Sequence, residues 1–218
     1  MDWPLLADVP AEDVHEVLGI ARRRTFRRGE VVFHEGDPGD SLHLIVDGRF
    51  ASRVQTRLGD VALLAVHGPG QAFGELALLT PDAPRSATVA ALEAAETRAV
   101  YCTDFARLRH RHPGVNDVLL QILADQLRRS NERVLEAHYL EADVRVLRRL
   151  RDLAQVYKRT DDGTVTIPLT QEELAEMAGT SRATVNKILR EEAARGTVEL
   201  RRGRTIVTDL ELLAQRAR

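Results

Sequence analysis

Cysteine is almost absent from this chain of 218 residues, which contains Cys102 and no second cysteine. A disulfide framework, a cysteine-ligated zinc site and an iron–sulfur cluster all need several thiolates, so the sequence excludes each of them. The N-terminus MDWPLLADVPAED does not have the basic start of a signal peptide, and no apolar run approaches the ~18 residues of a membrane span. We therefore expect a cytoplasmic protein that does not contact a membrane.

Net charge is also small, because 31 basic side chains nearly balance 33 acidic ones and leave a net charge of −2. With 44% hydrophobic residues, the composition suits one large or two small globular domains and does not suit a disordered tail. The balance is uneven along the chain, since residues 177–206 carry seven basic and three acidic side chains. The overall charge therefore hides a basic stretch near the C-terminal end.

Most of the first hundred residues have the pattern of short strands. Segments such as SLHLIVDG and VALLAVH alternate or run apolar over four to eight residues, and glycines separate them at turn spacing. Helical periodicity precedes them at residues 14–21, and Thr103 and Asp104 offer N-caps for a short helix after them. The pattern predicts an all-β module between helices, in a protein of the α+β class.

A long helix is predicted over residues 115–141, where there is neither proline nor glycine. Its seam positions recur in alternating steps of three and four residues, which is typical of a coiled coil. These seam positions are Leu120, Leu123, Leu127, Ser130, Val134 and Ala137. The seam predicts a parallel helix pair and hence a homodimer. The alternative is one long helix that faces the core of its own chain.

The segment LTQEELAEMAGTSRATVNKILREEAARG predicts a helix-turn-helix. Thr170 and Glu173 form a capping box at the start of a first helix over 171–178. Gly179 permits a tight turn, and Ser181 caps a second helix that continues to about residue 195. A small residue at 175 and a branched apolar residue at 185 are what the crossing of the two helices requires.

The second helix is predicted to bury Val185, Ile188 and Leu189 and to expose its N-terminal outer face. In a DNA complex such a face enters the major groove, where arginine reads guanine, asparagine reads adenine, and lysine contacts a base or a phosphate. The following TVELRRGRTIV predicts a basic hairpin, or wing, whose arginines contact phosphates. The alternative is an ordinary helical hairpin with a solvated charged face. The predicted DNA-binding residues are Thr170, Ser181, Arg182, Ala183, Asn186, Lys187, Arg202 and Arg204.

An anion site is predicted where FGELAL precedes PRSAT. Free backbone N–H groups at a helix start attract an anion, and Arg85 and Ser86 complete a phosphate clamp. Glu75 is compatible with a phosphate only where it accepts hydrogen bonds from another part of the ligand, such as a ribose hydroxyl. The alternative is that Glu75 and Arg85 pair across the turn and bind nothing.

Four stretches together resemble the Crp/Fnr family of transcription regulators: EGDPGDSLHLIVDG, FGELALLTPDAPRSATVAAL, the long helix, and LTQEELAEMAGTSRATVNKIL with its wing. The resemblance covers essentially the whole chain. It implies a jelly-roll-like, cyclic-nucleotide-binding β-roll over residues 1–113, a dimerisation helix and hinge over 114–141, and a winged helix-turn-helix over 142–218. It also implies phosphate binding by Gly74, Leu76, Arg85 and Ser86, ribose binding by Glu75, and adenine binding by Ser130 and Asn131 from the two subunits.

The resemblance implies a homodimer that binds a palindromic operator in double-stranded DNA, contacts RNA polymerase, and responds to cAMP or cGMP without a metal. Asn131 departs from the smaller hydroxyl residue of the cAMP-binding members, which leaves the nucleotide open. Two alternatives stay open: a regulator without a small-molecule effector, and a nucleotide-sensing subunit that binds no DNA. Ser130 could also serve only to fix the register of the helix pair. The sequence offers no nucleophile–base pair or metal set for an enzyme.

Overall fold

A computed structural model describes residues 10–57, 59–80, 83–158 and 163–217. The chain divides into two compact units, of which the first consists of Met1–Val54 and Ala65–Ser130 and the second of Gln55–Leu64 and Asn131–Arg218. The predicted α+β class is confirmed, whereas the predicted boundaries after residues 113 and 141 stay a prediction. None of the helices in these described ranges is both long and apolar enough to cross a membrane.

Two four-stranded sheets form the β-roll. One sheet contains, in spatial order, β1 (Arg22–Phe26), β8 (Ala95–Tyr101), β3 (Ser41–Asp47) and β6 (Ala72–Phe73). The other contains β2 (Val31–Phe33), β7 (Thr88–Ala91), β4 (Phe50–Gln55) and β5 (Val61–His67). Glycines with positive φ angles, such as Gly48 at +76°, lie in the turns between strands, as the sequence predicted.

Strand β3 is buried on both faces. Successive side chains of a strand point to opposite sides, so each face packs against a different cluster. Leu42 and Leu44 face an apolar cluster that includes side chains of α1 (Ala11–Ile20) and α3 (Cys102–Arg111). His43 and Ile45 alternate with them, and Ile45 belongs to a second cluster with phenylalanines of β1, β4 and β6. Each fully buried leucine of this kind contributes about 1.5–3 kcal/mol to folding.

Helix α3 begins two residues earlier than an N-cap at Thr103 would allow. It starts at Cys102, and its N-cap is Tyr101, the last residue of β8, whose side chain makes no capping hydrogen bond. The predicted N-cap role of Thr103 and Asp104 is therefore wrong, because strand β8 runs directly into the helix. Asp104 lies in the first turn, where a carboxylate is favoured by the positive end of the helix dipole.

The second unit contains most of the C-terminal helices and a three-stranded sheet, whose strands are in spatial order β10 (Val198–Arg201), β11 (Arg204–Val207) and β9 (Val165–Ile167). Helix α4 (Val115–Tyr139) extends into both units, and α2 (Leu76–Leu79) is a single turn in the first. The other helices are α5 (Ala142–Tyr157), α6 (Gln171–Ala178), α7 (Arg182–Ala194) and α8 (Leu210–Arg216). Their fully buried apolar side chains include Val146, Leu150, Ile167, Val185, Leu189 and Leu213.

Candidate functional site

The predicted anion site lies at the turn between β6 and α2. We call this turn, together with Arg85 and Ser86, the cradle. Gly74 has a φ angle of +84°, and Glu75 is the N-cap of α2. A Cβ atom at Gly74 would lie 2.8 Å from Nη1 of Arg85 and 2.9 Å from the carbonyl oxygen of Ser41. Glycine is therefore required here both for the backbone conformation and for the close approach of the arginine.

Arg85 is buried and held by several hydrogen bonds. Its Nη1 donates to the carbonyl oxygens of Ser41, at 2.8 Å, and Gly74, at 3.3 Å. Its Nη2 donates to Oδ1 of Asp40, at 2.8 Å, and to Oγ of Ser41, at 3.2 Å. Burial lowers the pKa of Arg85 and Asp40 opposes the shift, while arginine stays charged in any case. The Nε of Arg85 is buried and has no hydrogen-bond partner among the described residues, so this donor is left unsatisfied.

Glu75 and Ser86 supply the other polar side chains of the cradle. Glu75 is buried, yet among the described residues Arg85 pairs with Asp40 and not with Glu75. The alternative of a Glu75–Arg85 pair is therefore not what the structure contains. Ser86 is exposed, and the side chain of Leu76 is 39% exposed. A phosphate can accept hydrogen bonds from an N–H or a hydroxyl, and a carboxylate can accept one from a sugar hydroxyl.

Helix α4 exposes most of its predicted seam. Leu120 is 59% exposed, Leu127 63% and Val134 54%, while Leu123 is half-buried. Leu119, next to the seam, is buried in the first unit. The core of the same chain therefore does not cover the seam, whereas the alternative of a core-facing helix requires that it does.

Ser130 and Asn131, the predicted adenine contacts, lie on α4 at the point where the two units divide. Both are exposed, and neither side chain forms a hydrogen bond with the described residues. Their polar groups therefore remain free for a ligand or for a second chain.

The helix-turn-helix has the predicted caps. Oγ1 of Thr170 accepts from the N–H of Glu173 at 3.2 Å, and Oε2 of Glu173 accepts from the N–H of Thr170 at 2.9 Å, which completes the capping box. Gly179 is left-handed, with a φ angle of +61°. Oγ of Ser181 accepts from the N–H of Thr184 at 3.1 Å. These predictions of local structure are confirmed.

The outer face of α7 is basic. Val185, Ile188 and Leu189 are buried, and Arg182, Ala183 and Lys187 are exposed, as predicted. Arg190 is a further exposed cation on α7, which the sequence analysis missed. It follows Lys187 by three residues, and that spacing places the two on one helix face. Within the described ranges Arg182, Lys187 and Arg190 form no ion pair, so their charges are available to phosphates or bases.

Asn186 is not fully exposed, which corrects its predicted placement. It is half-buried, and its Nδ2 donates to Oε1 of Gln171 at 2.9 Å. The crossing of α6 and α7 brings these two residues together, although they are 15 positions apart in the sequence. A contact of Asn186 with a base stays a prediction.

The predicted wing is the hairpin of β10 and β11. Arg201 lies opposite Arg204 in the antiparallel pair, and Gly203 has a φ angle of +70° in the turn. The guanidinium of Arg201 pairs with Glu199. Arg202 and Arg204 are exposed and, in the part of the chain that the structure describes, form no ion pair. Two free cations therefore lie at the tip of the hairpin.

Arg145 of α5 connects the end of α4 with the turn of the helix-turn-helix. Its Nη1 donates to the carbonyl oxygen of Leu140 at 3.0 Å. Its Nε and Nη2 donate to the carbonyl oxygens of Ala178 and Gly179, both at 3.1 Å. The last carbonyl groups of a helix have no partner within it, so the arginine satisfies the end of α6. No motif in the sequence indicated this contact.

Comparisons with known proteins identify both domains. Residues 23–112 match the family model of a cyclic nucleotide-binding domain, and residues 144–216 match that of a Crp-like helix-turn-helix domain. The CRP-like cAMP-activated global transcriptional regulator of Mycobacterium tuberculosis is 38% identical over 198 residues, which cover 88% of this chain and 87% of that protein. The cyclic AMP receptor protein of Thermus thermophilus is 34% identical over 213 residues, or 97% of this chain and 95% of that protein.

This chain belongs to the Crp/Fnr family of transcription regulators. The crystal structure of the Thermus thermophilus catabolite activator protein matches with a TM-score of 0.57 and 32% identity, and the match covers 98% of each chain. The global regulator CLP of Xanthomonas campestris matches with a TM-score of 0.76 and 21% identity over 92% of this chain and 99% of that chain, which bears on the fold alone.

The predicted family and fold are therefore confirmed, and this Crp/Fnr regulator combines a cyclic-nucleotide-binding β-domain with a DNA-binding helix-turn-helix. The alternative of an ordinary helical hairpin is excluded by the family match. Across the described ranges, no group of three or more histidine, cysteine, aspartate or glutamate residues is arranged to hold a metal.

Proposed function

We propose that this Crp/Fnr regulator is a cytoplasmic homodimer whose affinity for a palindromic operator is controlled by a cyclic nucleotide, cAMP or cGMP, bound in the β-roll. The observation that carries this proposal is the cradle. There the Nε of the buried Arg85 has no hydrogen-bond partner among the described residues, and the buried carboxylate of Glu75 forms no ion pair with them. Two relatives that match over most of their length are named as cAMP-activated or cyclic AMP receptor proteins, which supports the choice of effector.

In this proposal Gly74, Leu76, Arg85 and Ser86 bind the phosphate and Glu75 binds the ribose. Ser130 of one subunit and Asn131 of its partner contact the base. The exposed leucines of α4 support a second copy of this chain as the partner, because they follow the heptad pattern of a helix pair. A parallel pair would also bring two seam residues such as Ser130 close to one ligand.

In the DNA complex, two symmetry-related α7 helices would enter successive major grooves about 34 Å apart. The operator is then a palindrome whose half-sites lie about 10 base pairs apart, centre to centre. Arg182, Ala183 and Lys187 face the bases, and Thr170, Ser181, Arg202 and Arg204 contact the backbone. Asn186 connects the two helices through its hydrogen bond to Gln171. We propose RNA polymerase as the further protein partner of the bound dimer.

Calorimetry of the purified protein with cAMP and with cGMP, alone and with operator DNA, tests the proposal. Wild-type protein is expected to bind one of them, and the nucleotide is expected to tighten operator binding. Arg85→Ala is expected to abolish binding, because a charge-assisted hydrogen bond contributes about 1.5–3 kcal/mol and the anion loses its positive partner.

Arg49→Ala is the matched control for this experiment. Arg49 is also a buried arginine of the β-roll with a carboxylate partner, since its Nη1 lies 2.7 Å from Oε1 of Glu93. If the loss of a buried ion pair were the cause of lost nucleotide binding, both variants should therefore lose it. Retained nucleotide binding in Arg49→Ala and lost binding in Arg85→Ala would assign the anion to Arg85.

A regulator without a small-molecule effector is the second candidate, and the Asp40–Arg85 pair favours it. Asp40 already neutralises the positive charge of Arg85 at 2.8 Å, so an added phosphate meets a second negative group. If wild-type protein binds neither nucleotide at high micromolar concentration but binds operator DNA, this second candidate is correct.

A further inference from the structure

A hydrogen-bond network of buried side chains connects the interior of the β-roll with Arg85. Oγ1 of Thr97 lies 3.0 Å from Nδ1 of His43, and Nε2 of His43 lies 3.3 Å from Oγ of Ser41. Oγ of Ser41 lies 2.7 Å from Oδ1 of Asp40 and 3.2 Å from Nη2 of Arg85. Thr97, His43 and Ser41 are all buried, so water does not compete for these bonds.

The positions of the hydrogens in this network follow from Asp40, at which the network ends. An ionised carboxylate only accepts, so the hydroxyl of Ser41 must donate to it. Oγ of Ser41 then accepts both from Nη2 of Arg85 and from Nε2–H of His43, which uses its two lone pairs. Burial and the nearby charge of Arg85 lower the pKa of His43 to about 3, so the ring is neutral and has one hydrogen. Nδ1 therefore accepts from the hydroxyl of Thr97.

The ring of His43 cannot turn freely to another partner. It stacks on Phe73, with ring centroids 5.0 Å apart and an angle of 6° between the planes. Phe73 immediately precedes Gly74 of the cradle. The stacked ring thus holds its one N–H group in a fixed position toward Ser41, which itself bonds to Arg85.

We propose that Ser41 and His43 are positioning residues for Arg85, which hold its guanidinium in a fixed orientation in the cradle. The inference rests on the proposed role of Arg85 in ligand binding. His43 fixes the direction of the Ser41 hydroxyl, and Ser41 holds Nη1 through its carbonyl and Nη2 through its hydroxyl. Asp40 completes the arrangement by accepting from both groups.

His43→Phe tests the proposal because phenylalanine keeps the stacked ring but donates no hydrogen bond to Ser41. We expect its affinity for the nucleotide that wild-type protein binds to fall about fivefold, the effect of one hydrogen bond. Thr97→Val is the matched control, since it removes a buried hydrogen bond of the same histidine but leaves Nε2–H in place. Its affinity is expected to stay within about twofold of wild type. Equal losses in the two variants, or none in His43→Phe, would overturn the proposal.

Nuclear magnetic resonance of the ligand-free full-length protein separates this proposal from the proposed function. We expect nitrogen-15 spectra to show the Nε2–H tautomer of His43, and the guanidinium of Arg85 to rotate faster in His43→Phe than in wild type and Thr97→Val. If wild-type protein binds neither cAMP nor cGMP, the proposed effector is wrong, and these spectra still decide whether His43 holds Arg85. An Nδ1–H tautomer, or unchanged rotation of Arg85 in His43→Phe, would contradict the positioning role.

Discussion

Nδ2 of Asn186 donates a hydrogen bond of 2.9 Å to Oε1 of Gln171 and so connects α7 to the first residue of α6. An amide nitrogen has two hydrogens, so Asn186 still has a donor and its oxygen for another partner. The bond therefore gives Asn186 a role in the helix-turn-helix that does not depend on reading a base, and the two roles have different experimental signatures.

We expect Asn186→Ala and Gln171→Ala each to weaken operator binding about fivefold and to leave the preferred sequence unchanged, because both remove the same bond. Binding-site selection and operator affinities measure the two effects. A double variant should lose no more than either single variant, since the second substitution has no bond left to remove. A changed preference at one base pair in Asn186→Ala, but not in Gln171→Ala, would instead show that Asn186 reads a base.

Arg182 and Arg202 are expected to differ in the kind of contact that they make with DNA. Arg182→Ala should cost about 1–3 kcal/mol and relax the preference at one base pair, because a bidentate arginine distinguishes guanine in the major groove. Arg202→Ala should weaken binding to all sequences alike and reduce the salt dependence by about one phosphate. Affinities for selected and scrambled sites over a range of salt concentrations measure both. If Arg182→Ala selects the wild-type consensus at every position, Arg182 contacts a phosphate.

Local signals account for what the sequence predicted correctly in the DNA-binding domain. The capping box of Thr170, the left-handed Gly179 and the cap at Ser181 each depend on residues within a few positions, and the sequence spacing is enough to predict them. Family resemblance added the roles of the cradle residues, which local chemistry left undecided between an anion site and an internal pair.

Contacts between distant residues account for what the sequence did not predict. Asp40 meets Arg85 across 45 positions, and Arg145 reaches Gly179 across 34. His43 lies in the run SLHLIV, which is buried on both faces, so alternation alone does not show which neighbours it meets. Such pairs are set by strand register and helix crossing, which are properties of the folded chain.

Dimerisation through α4 is tested by Leu127→Glu, because Leu127 is 63% exposed in the single chain and occupies a predicted seam position. Burying a charge against the equivalent residue of a partner is costly, so we expect monomers in sedimentation experiments and weak operator binding. Arg129→Glu is the control, since Arg129 is also exposed on α4 but lies outside the seam. An unchanged dimer in Leu127→Glu would place the interface elsewhere.

The three carbonyl contacts of Arg145 predict that this residue positions the start of α7. Arg145→Lys keeps the positive charge, but an ammonium group on a flexible chain does not reproduce the fixed fork that reaches Leu140, Ala178 and Gly179. We expect operator affinity to fall roughly tenfold, since hydrogen bonds to charged groups contribute about 1.5–3 kcal/mol each and at least one would be lost. Hydrogen exchange at Thr180 and Ser181 should become faster, because the turn is no longer held at its carbonyl groups.

Arg151→Lys is the matched control on the same helix, where Nη2 of Arg151 pairs with Oδ1 of Asp152 at 3.2 Å. It should leave both operator affinity and hydrogen exchange unchanged. Wild-type operator affinity in Arg145→Lys would show that the turn keeps its position without the guanidinium.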